Sequence, residues 1–375
     1  MAGIYIHIPF CKSKCIYCDF YSEIDLQGID NYVDAICSEI VQRKEYLQHE
    51  SIESIYFGGG TPSLLSFFHI DKILETIRQT FLLGDICEIT LEANPDDITK
   101  KYIERLIHTK VNRISLGIQS YNDKELIFLN RRHDSKKAIE AVELLQANGF
   151  KNISIDLIYG IPNSSLEKFK QSIDIAVKLD VQHISAYHLT YEKNTPIYRE
   201  LKNKKINQID EELSVSEFEL LIAQLTSFGF IHYEISNFGK ENFFSIHNSN
   251  YWKQKKYLGV GASAHSYDLN SRQWNISNIE KYIVGVFKNE TYFEKEILTM
   301  NDKYNDYVLT SMRTIWGADL EYIREKFGEK YFHHFRKQSE KFIPSNLIQN
   351  SGSVMKLSTK GIFISDSIMS ALLFV

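Results

Sequence analysis

From residue 3 to about residue 236, short apolar runs alternate with longer segments of helical period. The runs are GIYIHI, SIESIYF, EITLEA, NRISLGIQ, NISIDLIYG, QHISAYHL and IHYEISNF, each short and rich in β-branched or aromatic residues, as strands are. Between them lie YVDAICSEIVQRKEYL, HIDKILETIRQTF, SKKAIEAVELLQANG and SLEKFKQSIDIAVKL, whose apolar positions recur along one helical face. Repeated β–α units predict an α/β fold with a parallel sheet wrapped by helices. Six or more such units favour a β/α barrel, here a partial one, over a doubly wound sheet. Capping residues agree: Ser135 or Asp134 can open the helix that Gly149 ends, and Ser164 or Ser165 can open the next. In such folds chemistry gathers at the carboxyl ends of the strands.

Beyond about residue 240 the rhythm breaks. An aromatic, glycine-bearing stretch, HNSNYWKQKKYLGVGASAHSY, leads into a largely helical tail from about residue 299. The terminal VMKLSTKGIFISDSIMSALLF reads as a short hairpin followed by a helix. The pattern divides the chain into a barrel core over 1–240, a connecting segment over 241–298 and a small α+β unit, winged-helix-like, over 299–375.

Composition narrows the function. The 375 residues are 43% hydrophobic and carry a net charge of -5, which argues against a general nucleic-acid binder because phosphate contacts need concentrated Lys and Arg. No run of about 20 apolar residues occurs, so no membrane segment is expected. The N-terminal MAGIYIHIPF lacks the basic region and cleavage site of a leader, which predicts a cytoplasmic protein. Of five cysteines, three crowd into CKSKCIYC, too close to pair without strain, so the pattern suits a reducing compartment and a metal.

Thiolates are soft ligands that select zinc or iron–sulfur clusters. A structural zinc site needs four ligands, and Cys37 and Cys87 lie in a predicted helix and a predicted strand, with no second pair to complete one. Cys11, Cys15 and Cys18 can instead hold a [4Fe–4S] cluster with one iron open to an outside ligand. GGGTP, Gly58 to Pro62, follows the second strand, where glycines let backbone approach a ligand closely. Glu92, Gln119 and Asp156 lie at or near strand ends and Arg131 follows the fourth, a set able to bind hydroxyl, ammonium and carboxylate groups.

The spacing Cys-x3-Cys-x2-Cys, with aromatic Tyr17 before the last cysteine, resembles the signature of the radical S-adenosylmethionine (SAM) superfamily. That resemblance implies a [4Fe–4S] cluster on the three cysteines and SAM on its open iron, cleaved by the cluster's electron to a 5′-deoxyadenosyl radical. It assigns SAM binding to Tyr5, Tyr17, Gly59, Gly60, Thr61, Glu92, Gln119, Arg131 and Asp156. In finer detail the order Tyr5, CxxxCxxC, GGGTP, LEANP, LGIQS, NRRH and DLIYGIP is similar to the oxygen-independent coproporphyrinogen III oxidase family, from residue 4 to roughly 270.

Two departures separate the chain from the oxidases. They carry a further cysteine two residues after the third, where Phe20 stands here, and a substrate-binding arm ahead of the cluster, where only ten residues precede Cys11. CxxxCxxCxF and an HNxxYW motif, here His247, Asn248, Tyr251 and Trp252, resemble instead the HemW-type haem chaperones. The resemblance implies haem as a further ligand, haemoproteins as partners that accept it, and no porphyrinogen oxidase activity. The motif suits haem, since imidazole is a common axial ligand and Tyr and Trp offer flat apolar faces. Its assignment to the haem site is an expectation, with His7, His133, His183, His188 and His265 as other candidate ligands.

Overall fold

The computed structural model describes the backbone of residues 1–375 and every side chain except that of Ile86. Six parallel strands, β1 (Ala2–Ile8), β2 (Ile52–Gly59), β3 (Leu83–Ala93), β4 (Arg113–Gln119), β5 (Ile153–Tyr159) and β6 (His183–His188), lie side by side in chain order. Each coincides with one of the first six apolar runs. The seventh run differs from expectation: it folds into an antiparallel hairpin, β7 (Ile231–Glu234) and β8 (Asn237–Gly239), with β8 antiparallel to β6. Too few residues separate its halves for a crossover, so the chain can only turn back.

Residues 241–298 also join this sheet. β9 (Tyr257–Val260) pairs in parallel with β1, and β10 (His265–Tyr267), β11 (Ser271–Asn275) and β12 (Phe293–Ile297) extend it antiparallel. The result is one 12-stranded sheet whose edge strands, β12 and β7, do not pair with each other among the described residues, so the barrel is open. It is nonetheless curled. Gly59 of β2, Glu92 of β3, Gln119 of β4, Asp156 of β5 and Tyr187 of β6 all line one cavity, which a flat sheet with strands about 4.8 Å apart would not enclose.

Period-2 alternation divides the strands between two environments. Ile4, Ile6, Ile55, Phe57, Ile89, Leu91, Ile114, Leu116, Ile153 and Ile155 face outward into a core shared with the helices Ile29–Gln42, Phe67–Thr80 and Ser135–Ala147. The alternate positions are polar: Ser54 and Tyr56, Glu88, Thr90 and Glu92, Arg113 and Ser115, Ser154 and Asp156, His183 and Ser185. The curled sheet therefore encloses a polar interior, with Arg113 buried in it. Asp134 and Ser165 cap their helices, accepting from the amides of Lys137 and Lys168.

The tail has a core of its own around Tyr304, Phe335 and Ile368. Its elements run helix Met300–Ser311, β13 (Ala318–Asp319), helices Leu320–Phe327 and Glu329–Ser339, β14 (Ile348–Ser351) and β15 (Val354–Leu357). The tail thus combines helices with a small antiparallel sheet, and its hairpin sits upstream of its predicted place. VMKL is its second strand, and the following residues Thr359–Ile362 are helical, opened by Ser358, whose hydroxyl accepts from the Gly361 amide.

Candidate functional site

The loop after β1 carries the cysteines, and its conformation is set by its neighbours. Cys11 N–H donates to the Glu23 carbonyl, Asn130 Nδ2 to the Lys14 carbonyl at 2.8 Å, and Ile197 N–H to the Ile16 carbonyl. Ile16 and Tyr17 pack on a small cluster of Leu129, Ile158, Ile161, Leu189 and Ile197. Cys11 is buried and Cys15 and Cys18 half-buried, all three as free thiols.

The glycines of GGGTP are needed for this approach. A Cβ at Gly60 would lie 2.7 Å from the Phe10 carbonyl oxygen and 3.0 Å from Cys11 Sγ, and Gly59, at φ +111°, stands against the His7 ring. Thr61 Oγ1 reaches Cys11 Sγ at 3.5 Å and accepts from Asn94 Nδ2, whose amide oxygen accepts from Arg131; Arg131 Nη1 also donates to Cys15 Sγ at 3.1 Å. A continuous chain of hydrogen bonds thus ties Cys11 to Cys15 through the ends of β2 and β3.

A cavity of about 460 Å³ opens at the carboxyl ends of β1 to β6. Cys11, Cys15, Cys18, Tyr17, Gly59, Gly60, Thr61, Glu92, Gln119, Arg131 and Asp156 all line it. Gln119 reaches it through a bulge in β4, where the register with β5 shifts and its own φ is +77°, a conformation non-glycine residues adopt at a cost. Tyr5 does not line the cavity. It lies beneath, donating to His7 Nδ1 at 3.0 Å and stacked on Tyr56.

Two half-buried carboxylates dominate the cavity's electrostatics. Burial pushes Glu92 up to about 7; the Tyr56 hydroxyl (2.7 Å), the Gly59 amide (3.3 Å) and Arg113 pull it down, and Asp156 pushes it further up. Burial likewise raises Asp156 to about 6 against the hydroxyls of Ser185 and Ser115 and the cations Arg113 and Arg131. Arg131 Nε is buried without a partner. Three thiols, a backbone edge bared by glycine and carboxylates short of donors fit a cluster beside a cationic ligand bearing ammonium and hydroxyl groups.

The HNxxYW motif lies elsewhere, on the helix Ile246–Trp252 packed against β1 and β2 at the other end of the polar interior. His247 is 2% exposed, and its two ring nitrogens meet Ser54 Oγ and Tyr251 Oη, each at 2.9 Å. Both imidazole nitrogens are thus engaged by hydroxyl groups within the chain. Trp252 is half-buried beneath the Arg313 guanidinium and Asn248 half-exposed. Of the other histidines, His7 and His183 also have both nitrogens bonded, His133 bonds the Ile118 carbonyl, and His265 lies on Trp274. His188 lines the cavity.

Asn94, Asn130, Ser115 and Tyr187 belong to the cavity without having been singled out. Tyr56 and Arg113 act on it from below. The signal that could have found them is the unbroken polar phase of β2 to β6.

Residues 5–176 match the family described as the radical SAM superfamily, whose members carry a [4Fe–4S] cluster and SAM. Over its whole length the chain is 31% identical to the heme chaperone HemW of Bacillus subtilis (strain 168), covering 99% of that protein. It is 34% identical to the heme chaperone HemW of Haemophilus influenzae over 87% of this chain and 86% of that one. Among solved structures it is similar to the radical SAM enzyme coproporphyrinogen III oxidase (HemN) of Escherichia coli, with a TM-score of 0.85 at 21% identity over 99% of this chain and 89% of that one. The fold is thus shared with the oxidase, while the sequence runs end to end with the chaperones: the chain belongs to the HemW family of the radical SAM superfamily.

Proposed function

We propose that this chain is a radical-SAM-type haem chaperone that delivers haem to acceptor haemoproteins in the cytoplasm. The observation that carries the reading is the convergence of three cysteines, the GGGTP edge and four strand-end polar residues on one cavity, in a chain similar to HemW along its full length. Cys11, Cys15 and Cys18 would hold the cluster, and Arg131 would orient the Cys15 thiolate from outside it. Gly59, Gly60 and Thr61 would present backbone to SAM, with Glu92, Gln119, Asp156 and Tyr17 around it and Tyr5 supporting the floor. Bound there, the two cofactors supply one-electron chemistry. The chain's own residues orient SAM, keep the carboxylates dry and fix the loop.

Phe20, 63% exposed, stands at the rim of the cavity and adds an apolar face beside the cluster loop rather than a fourth thiol. Haem is the cargo in this reading, and acceptor haemoproteins are the partners. Among the described residues no helix is long and apolar enough to cross a membrane.

The test uses anaerobically reconstituted protein. Cys15→Ala is expected to remove the broad visible absorption and most of the iron, whereas the wild type is expected to bind haem stoichiometrically and pass it to an apo-haemoprotein. Unchanged iron in the variant would refute the cluster assignment. Turnover of coproporphyrinogen III by the wild type with SAM and a low-potential reductant would replace the chaperone reading with the oxidase.

A further inference from the structure

His247, the first residue of HNSNYW, has both ring nitrogens bonded within the chain and lies against Tyr56, one of the two groups that hold Glu92. Its ring stacks on Tyr56 with centroids 5.0 Å apart and an interplanar angle of 25°, and on Tyr5 at 6.3 Å. The Tyr56 hydroxyl donates to Glu92 Oε1 at 2.7 Å, and Glu92 Oε2 accepts from the Gly59 amide at 3.3 Å. The path from the motif to the cavity is thus three side chains long.

The surroundings are built for this stack. Ser54 and Tyr251 fix the imidazole in its plane, one from β2 and one from the next turn of its own helix. Glu88 accepts from the amides of Ile246 and His247, both at 3.1 Å, and stands 3.9 Å from Arg113, which pins the helix start to β3 and β4. β1 is bare opposite the ring: a Cβ at Gly3 would lie 3.0 Å from Ser54 Oγ and 3.3 Å from His247 Nδ1. β2 is bare one layer higher, where a Cβ at Gly58 would lie 2.9 Å from both Tyr5 and Tyr56 and 3.2 Å from Glu92 Oε1. A phenylalanine in place of His247 would keep a ring but strand two buried hydroxyls.

We infer that His247 is a positioning residue: it buttresses Tyr56, and Tyr56 aims the Glu92 carboxylate into the SAM cavity. The motif thereby couples the amino-terminal end of the polar interior to the cofactor site at the carboxyl end, 193 residues separating His247 from Ser54 in sequence. This rests on the proposed reading only in taking SAM as the ligand that Glu92 faces.

The test is a double-mutant cycle on the full chain, read in two ways. In cluster-loaded protein, Tyr56→Phe, which removes one hydroxyl and leaves the packing, is expected to weaken SAM binding about tenfold, the usual size for a hydrogen bond to a charged group. His247→Ala is expected to weaken it at least as much, and His247→Ala with Tyr56→Phe no further than His247→Ala alone. In cluster-free protein the Gly59 amide, which donates to Glu92, is expected to exchange faster in both single variants while amides of the outer core do not. Haem stoichiometry and the Soret maximum are expected to stay as in the wild type. Additive losses in the cycle, or unchanged Gly59 exchange in both variants, would overturn the inference. So would loss of haem in His247→Ala with SAM affinity intact, which would make the residue a haem contact. Failure of the wild type to bind SAM would sink the cavity's assignment while the exchange data still decided the coupling.

Discussion

Two carboxylates, Glu39 fully buried and Glu92 half-buried at a cavity wall, sit in one sheet-and-helix scaffold and are treated oppositely. Glu39 is fully buried and accepts from four donors: Arg43 Nη1, Asn275 Nδ2, the Gly261 amide and the Tyr282 hydroxyl. That fills the lone-pair sites of a carboxylate. Its partner Arg43 is equally provided for, donating to the Gly259 carbonyl, Ser266 and Gln273 and lying over the Tyr46 ring. The network joins the helix Ile29–Gln42 to β9, β10 and β11, and so locks the late strands onto the early ones. Glu92 has two donors, a neighbouring acid in Asp156, and an open cavity in front.

The contrast teaches how to separate structure from function in a buried polar group. A charge whose every hydrogen bond is met inside the chain specifies the fold. A charge held short of partners at a cavity wall is kept ready for something that brings them. Stability is lost by leaving it so, and ligand binding recovers it.

The comparison can be broken most directly at its two carboxylates. Glu39→Gln leaves the Arg43 cation buried without a counter-charge and is expected to lower unfolding stability by about 3–5 kcal/mol, seen as a lower urea midpoint at unchanged slope. Glu92→Gln is expected not to destabilise the cofactor-free protein, because it removes a charge held short of donors, while SAM binding falls. Equal destabilisation by both would erase the distinction.

A weaker but more specific effect follows from pH. Glu92 is raised from 4.5 to about 7 and Asp156 from 3.8 to about 6, so the folded state holds these protons more tightly than the unfolded one. Their contribution is full below the unfolded values and is lost as pH rises through 4 to 7, so cofactor-free protein is expected to lose on the order of a few kcal/mol across that window. Glu217 and Glu234, each also raised to about 7, act in the same sense. The measurement is therefore the difference between wild type and Glu92→Gln/Asp156→Asn, whose curve is expected to be flatter. An identical pH profile would show that the cavity carboxylates are already satisfied.

The smallest effect is a control far from both networks. Asp210 caps the helix Glu211–Ser227, accepting from the amides of Glu212 and Leu213 at 2.9 and 3.3 Å. Asp210→Ala is expected to cost about 1 kcal/mol, as an ordinary exposed cap does, and to leave SAM affinity unmoved. A change in SAM affinity here would mean that global stability, and not the cavity, governs binding.

Much of the cavity was legible in the chain because its parts are local. CxxxCxxC, GGGTP and the strand-end acids are short stretches visible along the chain, and the resemblance to the radical SAM signature implies what they would bind. The position of HNSNYW was not legible in the same way. Its residues read as a haem element in isolation, whereas Ser54, 193 residues away, meets one ring nitrogen and Tyr56 and Glu88 seat the ring and the helix start. The hairpin Ile231–Gly239 and the strands β9 to β12 escaped for a related reason: four-residue strands carry too little periodicity to declare a direction or a partner.

By itself, then, the sequence determined the order of strands and helices, the outward apolar face, the helix caps and the cysteine loop, because each depends on contacts within a few residues or on a repeat of period 2 or 3.6. Tertiary structure alone decided which polar groups meet. Tertiary packing brings Glu92 of β3 and Asp156 of β5 to one cavity, places Arg131 against Cys15, and slides His247 under Tyr56. The physical reason is that satisfaction of a buried polar group is a property of its three-dimensional neighbours, and no one-dimensional pattern records it.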